Sequence, residues 1–257
     1  MYVFYSPSKK VLDYDVNIKT YNKGSKIQTN NLSYNCLISF IKENIKGYVV
    51  NIKRQKMLLN NKTDHSPINE LFLMSGSILD NLDLEISQYG EIIKVKNIND
   101  IHELWKEIKF KIEQTYVGNI VSSIITPIEE KIHDEQFFIQ SLNKDPFIHN
   151  YFGIIYGEYK NDLYSFEEEL DGLYEKKLDI ERRNRLSISN QEQIQIDVKG
   201  TADIIKEKDE KNISFNIKSN YILTQKKEIQ KFSVIQEFFQ DNLKKKGLYI
   251  DVKPIEL

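Results

Sequence analysis

The sequence contains a single cysteine, Cys36, so no disulfide can form within the chain. One cysteine is typical of proteins from a reducing compartment, and we expect a cytoplasmic location. An exported protein whose signal peptide had been removed would read the same way. No apolar run reaches the roughly 18 residues that a membrane-spanning helix requires, so the sequence predicts no membrane span.

The common short signatures of catalysis and cofactor binding are also missing. The chain has no GxGxxG, GxxxxGK[ST], GxSxG, HExxH or CxxC. Their absence argues against the usual dinucleotide, phosphate, serine-hydrolase and zinc sites. We therefore predict no cofactor, and an enzyme is the less favoured class of function.

Alanine is almost absent, with Ala202 the only one, whereas Ile, Asn, Lys and Tyr are abundant. This bias indicates an AT-rich genome, and the segment GEIIKVKN…IHELW resembles hairpin-to-helix segments of many uncharacterised bacterial proteins, which implies no activity. The net charge is −2, but residues 63–181 are acidic and both flanks are basic. That separation either steers a charged partner or keeps helix faces and strand edges soluble.

Residues 97–159 predict three consecutive helices. Asp100, Thr126-Pro127 and Asp145-Pro146 each supply a helix start signal, and the second helix is expected over 127–142. Apolar residues at helical spacing form the faces that would pack on a core: Ile101, Leu104, Trp105, Ile108, Ile112, Tyr116, Ile128, Ile132, Phe138, Ile139 and Leu142.

Both flanks alternate apolar and polar residues, as half-buried strands do. Helical spacing interrupts this pattern over 34–45 and near 231–246. The sequence therefore predicts an α+β fold, in which N- and C-terminal segments build an antiparallel, curved sheet and the three-helix layer of 97–159 packs on it. We expect one domain over 1–257, with 1–96 and 160–257 mainly β and one helix in each. Two separate β-rich units joined by helices are the alternative.

The densest aromatic cluster contains Tyr151, Tyr156, Tyr159 and Tyr164. If these rings are exposed, they would form a surface that binds a partner. If they are buried, they belong to the core, and their helical spacing favours this second interpretation. Glu167-Glu168-Glu169 and Asp171 follow. Alternation places Glu167 and Glu169 together and Glu168 opposite, which gives either a general acid/base pair or a solvated strand edge.

Histidine and cysteine chemistry is weakly indicated. His133 follows Glu129 by one helical turn, but no second such helix completes a metal site, so we predict no metal. Cys36 lies in an apolar segment that favours a buried, neutral thiol. The basic residues lack a nucleic-acid-binding motif, so no nucleic-acid partner is predicted.

These observations favour a non-catalytic protein-binding scaffold, such as an adaptor, a toxin-neutralising (immunity) protein or a component of a larger bacterial assembly. Its candidate partner-binding residues are Tyr151, Tyr156, Tyr159, Tyr164, Glu167 and Glu169. A carrier of an apolar ligand or lipid between sheet and helices is one alternative. An acid-pair hydrolase using Glu167 and Glu169 is another.

Overall fold

The computed structural model describes residues 1–23, 27–62, 66–170, 178–188, 193–204, 213–241 and 243–255. The helices are α1 (Pro67–Gly76), α2 (Ile98–Thr115), α3 (Asn119–His133), α4 (Glu135–Leu142) and α5 (Pro146–Ile148), with a 3-10 turn at Ser77–Leu79 and a π-helical turn at His149–Gly153. The strands are β1 (Tyr2–Val3), β2 (Leu12–Lys23), β3 (Ile27–Asn44), β4 (Gly47–Leu59), β5 (Asn81–Ile86), β6 (Ile92–Val95), β7 (Gly157–Glu158), β8 (Leu163–Leu170), β9 (Leu178–Ile188), β10 (Ile194–Ile204), β11 (Ile213–Leu223), β12 (Ile229–Gln240) and β13 (Leu243–Pro254).

Both ends of the chain contribute to one antiparallel sheet. Its eleven strands follow the order β6-β5-β4-β3-β2-β13-β12-β11-β10-β9-β8. The junction is the β2–β13 pair, where Val16 lies opposite Val252. The predicted sheet of N- and C-terminal segments is therefore confirmed. The short strands β1 and β7 form a separate two-stranded sheet.

Alternation along the strands separates a buried face from an open one. In β2, Tyr14, Val16 and Ile18 are buried, whereas Asp15 between them and Lys19 after them are exposed. Successive strand residues point to opposite faces, so the apolar positions of neighbouring strands meet on one surface. We call this surface the inner face. It forms the main core together with the helices.

The helical layer packs on this core as predicted. Trp105 and Ile108 of α2 and Ile132 of α3 are all buried. Leu104, which the sequence assigned to the same stripe, is instead 39% exposed. It lies at the edge of the stripe, about 70° around the helix from its centre at 100° per residue.

Two of the predicted helix starts are wrong. Helix α2 begins at Ile98 rather than after Asp100. Helix α3 continues through Pro127 to His133, so the single helix predicted over 127–142 does not exist. The break falls at Asp134, whose carboxylate accepts from the backbone N–H groups of Gln136 and Phe137 and starts α4. The Asp145-Pro146 start is confirmed, although α5 runs directly into the π-helical turn.

The helices predicted over 34–45 and 231–246 are also wrong, because β3 covers 34–44 and the strands β12 and β13 cover 231–240 and 243–246. Tyr34 and Ile38 are spaced by four, a spacing that fits both a helical stripe and one side of a strand. In β3 these two residues and Cys36 between them are buried on the inner face. Phe232 and Phe238 are likewise buried on one face of β12. Pro67 begins α1, and residues 63–65 lie outside the described residues.

Candidate functional site

Three of the predicted partner-binding tyrosines lie in the core. Tyr151 and Tyr156 are 3% exposed and Tyr159 is 1% exposed. The Tyr151 hydroxyl lies 3.3 Å from that of Tyr14, and Tyr159 donates to the carbonyl oxygen of Ile155 at 2.9 Å. Burial raises the pKa of Tyr151 and Tyr156 well above the ordinary tyrosine value. Their interpretation as core residues is confirmed, and a surface role would require exposure that they lack.

Aromatic rings also fill the space between this segment and the sheet. Phe147 and Tyr151 stack with their centroids 5.4 Å apart, and both lie against Phe232 of β12. Tyr14 packs edge-on against Tyr151 at 5.8 Å. Residues 146–159 therefore occupy with side chains the layer in which an apolar ligand was expected.

The remaining predicted site residues lie on β8. Tyr164 is half-buried on the inner face, stacked on Phe166 at 5.2 Å. Glu167 and Glu169 are exposed on the opposite face, as alternation predicted. They stand on the open side of the sheet rather than in a cleft, so the geometry lacks the enclosed acid/base site that a hydrolase requires. Asp171 lies outside the described residues.

Glu168, between them, points inward and joins two residues in one polar cluster. Its Oε1 lies 2.9 Å from Nε2 of His149 in the π-helical turn. Its Oε2 accepts from Nε of Arg182 on β9. Burial alone would raise the pKa of the Glu168 carboxyl, but His149 and Arg182 outweigh burial and hold that pKa below its ordinary value.

Arg182 is fully buried, yet most of its donors have no partner. Both terminal nitrogens, Nη1 and Nη2, lack a hydrogen bond. Three other buried polar atoms nearby are also unpaired: Asn184 Oδ1, Ser219 Oγ and Asn150 Oδ1. The π-helical turn lies above them, because Asn184 donates to the Ile154 carbonyl at 2.7 Å and Tyr221 donates to the Asn150 carbonyl at 3.0 Å. We call this group the Arg182 site.

Sequence reasoning missed the Arg182 site, although a signal for part of it existed. The alternation of the C-terminal flank includes Leu186 and Ile188 and extends back through Asn184, Arg182 and Ile180. All three are buried on the same face. Continuing the period-two phase would have placed a charged side chain on the dry face, which is rare unless that charge is paired or functional.

Strand β8 forms one edge of the sheet that the described residues build. The Leu186 N–H donates to the Asp162 carbonyl at 2.9 Å, and Leu163 then lies opposite Arg185. Hydrogen-bonded and non-bonded pairs alternate in an antiparallel ladder. The backbone groups of Ser165 and Glu167 therefore face away from β9. The open face beside them carries four exposed carboxylates, Glu167, Glu169, Asp179 and Glu181, and two exposed arginines, Arg183 and Arg185.

A second buried arginine lies near the opposite end of the sheet. Arg54 of β4 pairs with Asp145 at 2.9 Å and lies 5.2 Å from the ring centroid of Tyr34. Asp145 also caps α5, so this pair joins the helical segment to the sheet. Cys36 lies nearby, and burial raises the pKa of its thiol to about 12. The predicted neutral, buried cysteine is confirmed.

The described residues carry neither a cluster of metal ligands nor a membrane-spanning helix. His102 Nε2 lies 2.6 Å from the Ile132 carbonyl oxygen, and the His102 and His133 rings are 6.2 Å apart. Across the described ranges, no three His, Cys, Asp or Glu side chains converge as metal ligands. Nor does this part of the chain contain a helix both long and apolar enough to cross a bilayer.

A shallow groove of about 220 Å³ lies elsewhere, where β2, β3 and β13 extend beyond the helices. Hydroxyl and amide side chains such as Thr20, Asn22 and Asn30 line it. Its volume is below the roughly 300 Å³ at which pockets for drug-sized ligands begin. It therefore does not replace the filled layer beneath the helices as a lipid cavity.

No protein-family model matches the chain, and comparison with curated proteins gives no match. Among solved structures, the fold is similar to part of lipovitellin, in a structure that concerns lipid–protein interactions in that protein. The likeness has a TM-score of 0.53 and 11% sequence identity and covers 97% of this chain. The chain spans 25% of that lipovitellin chain. Identity this low shows a shared fold only.

Proposed function

We propose that this protein is a non-catalytic scaffold that binds an extended segment of a partner protein along β8. The observation that carries the proposal is the edge position of β8, whose Ser165 and Glu167 backbone groups face away from β9. A peptide that adds a strand to an exposed sheet edge gains main-chain hydrogen bonds, and its alternate side chains give specificity.

Charge indicates the kind of segment that fits. Glu167 lies directly opposite Glu181 on the open face, where Arg183 pairs with Glu181, and like charges at such positions destabilise a strand pair. Lysine or arginine side chains on an added strand would relieve this repulsion. A second copy of β8 would instead bring further carboxylates to the same edge, so the proposed partner is basic and different from this chain.

The test uses two synthetic peptides, one alternating valine with lysine and one alternating valine with glutamate. We expect the basic peptide to bind and to slow hydrogen exchange along β8. Ser165→Pro should abolish binding, because it removes an N–H that faces the edge and spares the ladder to β9. Ser165→Ala keeps that N–H and is the matched control. Equal binding by the proline variant, or no binding of the basic peptide, rejects strand addition.

A second candidate function is transport of an apolar ligand, and the fold shared with part of lipovitellin favours it. The ring-filled layer beneath residues 146–159 argues against a ligand there. Solvent extraction and mass spectrometry of the purified, folded protein provide the test. A stoichiometric apolar molecule would support a carrier, and a ligand-free protein would reject it.

A further inference from the structure

We infer that the Arg182 site binds the carboxylate of an apolar acid, with the two terminal nitrogens of Arg182 as its principal donors. The inference does not depend on strand addition at β8. It begins from unsatisfied hydrogen-bond donors on a buried cation. Arg182 is 0% exposed, and Glu168, its carboxylate partner among the described residues, contacts its Nε and is shared with His149.

A buried guanidinium is costly unless its donors are satisfied. Arg54 differs in where its counterion lies: its Nη2 is 2.9 Å from Asp145 and its guanidinium lies near the face of the Tyr34 ring, although its Nε and Nη2 also lack a well-aligned hydrogen bond. Among the described residues, no ion pair joins the terminal nitrogens of Arg182 to a carboxylate. The outer end of Arg182 is a planar fork of N–H groups, which matches the two oxygens of a carboxylate.

The surroundings select among anions. Asn184 Oδ1 and Asn150 Oδ1 are unpaired acceptors, and the carboxylate of Glu168 is close. Acceptors and the negative charge of Glu168 disfavour a doubly charged phosphate more strongly than a singly charged carboxylate. Ser219 Oγ, also unpaired, can donate to the same ligand.

The neighbouring inner-face positions indicate an apolar substituent. Ile180 precedes Arg182 by two residues on β9, and Ile217 lies beyond Gly200 in the same cross-strand row. Both are buried, as is Phe215. At the rim, the side chains of His149 and Glu168 are 21% and 15% exposed, so the ligand would enter between the π-helical turn and β8.

Calorimetric titration of the full chain with acetate, octanoate and palmitate, and with octanol as an uncharged control, tests this inference. We expect octanoate to bind and octanol not to bind. Arg182→Met should weaken binding of octanoate about tenfold or more, as loss of a charged hydrogen-bond donor does. Arg183→Met, at the next and exposed position, should leave the affinity unchanged. If palmitate binds more tightly than octanoate, the natural ligand is a lipid-derived acid. If acetate binds as tightly as octanoate, the natural ligand is a small free acid.

Two further measurements keep the outcome clear. Ser165→Pro should bind octanoate like the wild type, which separates this site from strand addition. If Arg182→Met does not fold, NMR of ¹³C-labelled octanoate provides the test. A saturable shift of its carboxyl resonance with the wild-type protein, and weaker binding by Ser219→Ala, would support the site. No saturable binding of any acid by the wild type, or unchanged binding by a folded Arg182→Met, overturns the inference.

Discussion

A wholly buried guanidinium depends on its counterion far more than an exposed one does, because water cannot solvate the buried group when the counterion is removed. Arg182 and Glu168 form such a pair, whereas Arg183 and Glu181, one residue further along β9 and exposed, form a pair of the ordinary surface kind. Surface pairs contribute about 0–1 kcal/mol. Because the two arginines are neighbours on β9, comparing their ion pairs shows how burial changes the contribution of such a pair to stability.

We predict that Glu168→Gln lowers the free energy of unfolding by about 3–5 kcal/mol at pH 7, the usual cost of leaving a buried charge without its partner. Glu167→Gln, on the exposed side of β8, should change it by less than about 0.5 kcal/mol. Urea denaturation measures both. Equal stability of the two variants would mean that Arg182 does not depend on Glu168.

The pH dependence of the Glu168→Gln effect has a definite sign. The pKa of Glu168 is lowered in the folded state from its ordinary value of 4.5. A carboxyl with a depressed folded-state pKa stabilises the fold above its unfolded-state pKa and loses that contribution as the pH falls through the folded-state value. The difference between wild type and Glu168→Gln should therefore be full above pH 4.5 and shrink below it.

At the scale of elements, two aspartates start neighbouring helices with different surroundings. Asp134 caps α4 at the surface and serves only backbone N–H groups. Asp145 caps α5 through Phe147 and Ile148 and also neutralises the buried Arg54. The same residue type therefore performs one task in α4 and two in α5.

We predict that Asp134→Ala costs about 1 kcal/mol of stability, the typical value of a lost N-cap. Asp145→Ala should cost about 4 kcal/mol or more, because it removes the cap of α5 and leaves the buried charge of Arg54 without its counterion. Asp145→Asn keeps a cap acceptor and should recover only about 1 kcal/mol of that loss. Thermal and urea unfolding measure these effects; similar losses for Asp134→Ala and Asp145→Ala would show that the Arg54 pair contributes little.

The sequence predicted some features that depend on a few neighbouring residues. Asp145-Pro146 starts a helix as predicted, although Thr126-Pro127, the same kind of signal, lies inside α3, and alternation correctly placed Glu167 and Glu169 on one side of β8. Residues 34–45 could not be assigned in this way, because Tyr34 and Ile38 fit both helical and strand periods. The pairing of β3 with β2 and β4 decides that case. The contact of His149 with Glu168 was also beyond reach, since it depends on how residues 146–159 pack on distant strands.

At the scale of the whole molecule, the β2–β13 junction joins the first strands of the sheet to the last. Val16 and Val252 face each other there, and both are 0% exposed. A sheet continuous across this pair transmits loss of packing to both flanks. Two β-rich units joined by helices would confine that loss to one of them. The single domain predicted over 1–257 thus has a direct thermodynamic consequence.

We predict that Val252→Ala lowers the free energy of unfolding by about 2 kcal/mol, as removal of buried methyl groups does. Its effect should be the same for two probes: fluorescence of Trp105, the only tryptophan, and amide exchange in β10 and β11. Coincident transitions are the signature of two-state unfolding. Val117→Ala, at a position 92% exposed, is the matched control and should shift neither probe. If Val252→Ala destabilises β10 and β11 but leaves the Trp105 transition in place, the two flanks unfold separately and the single-domain prediction is wrong.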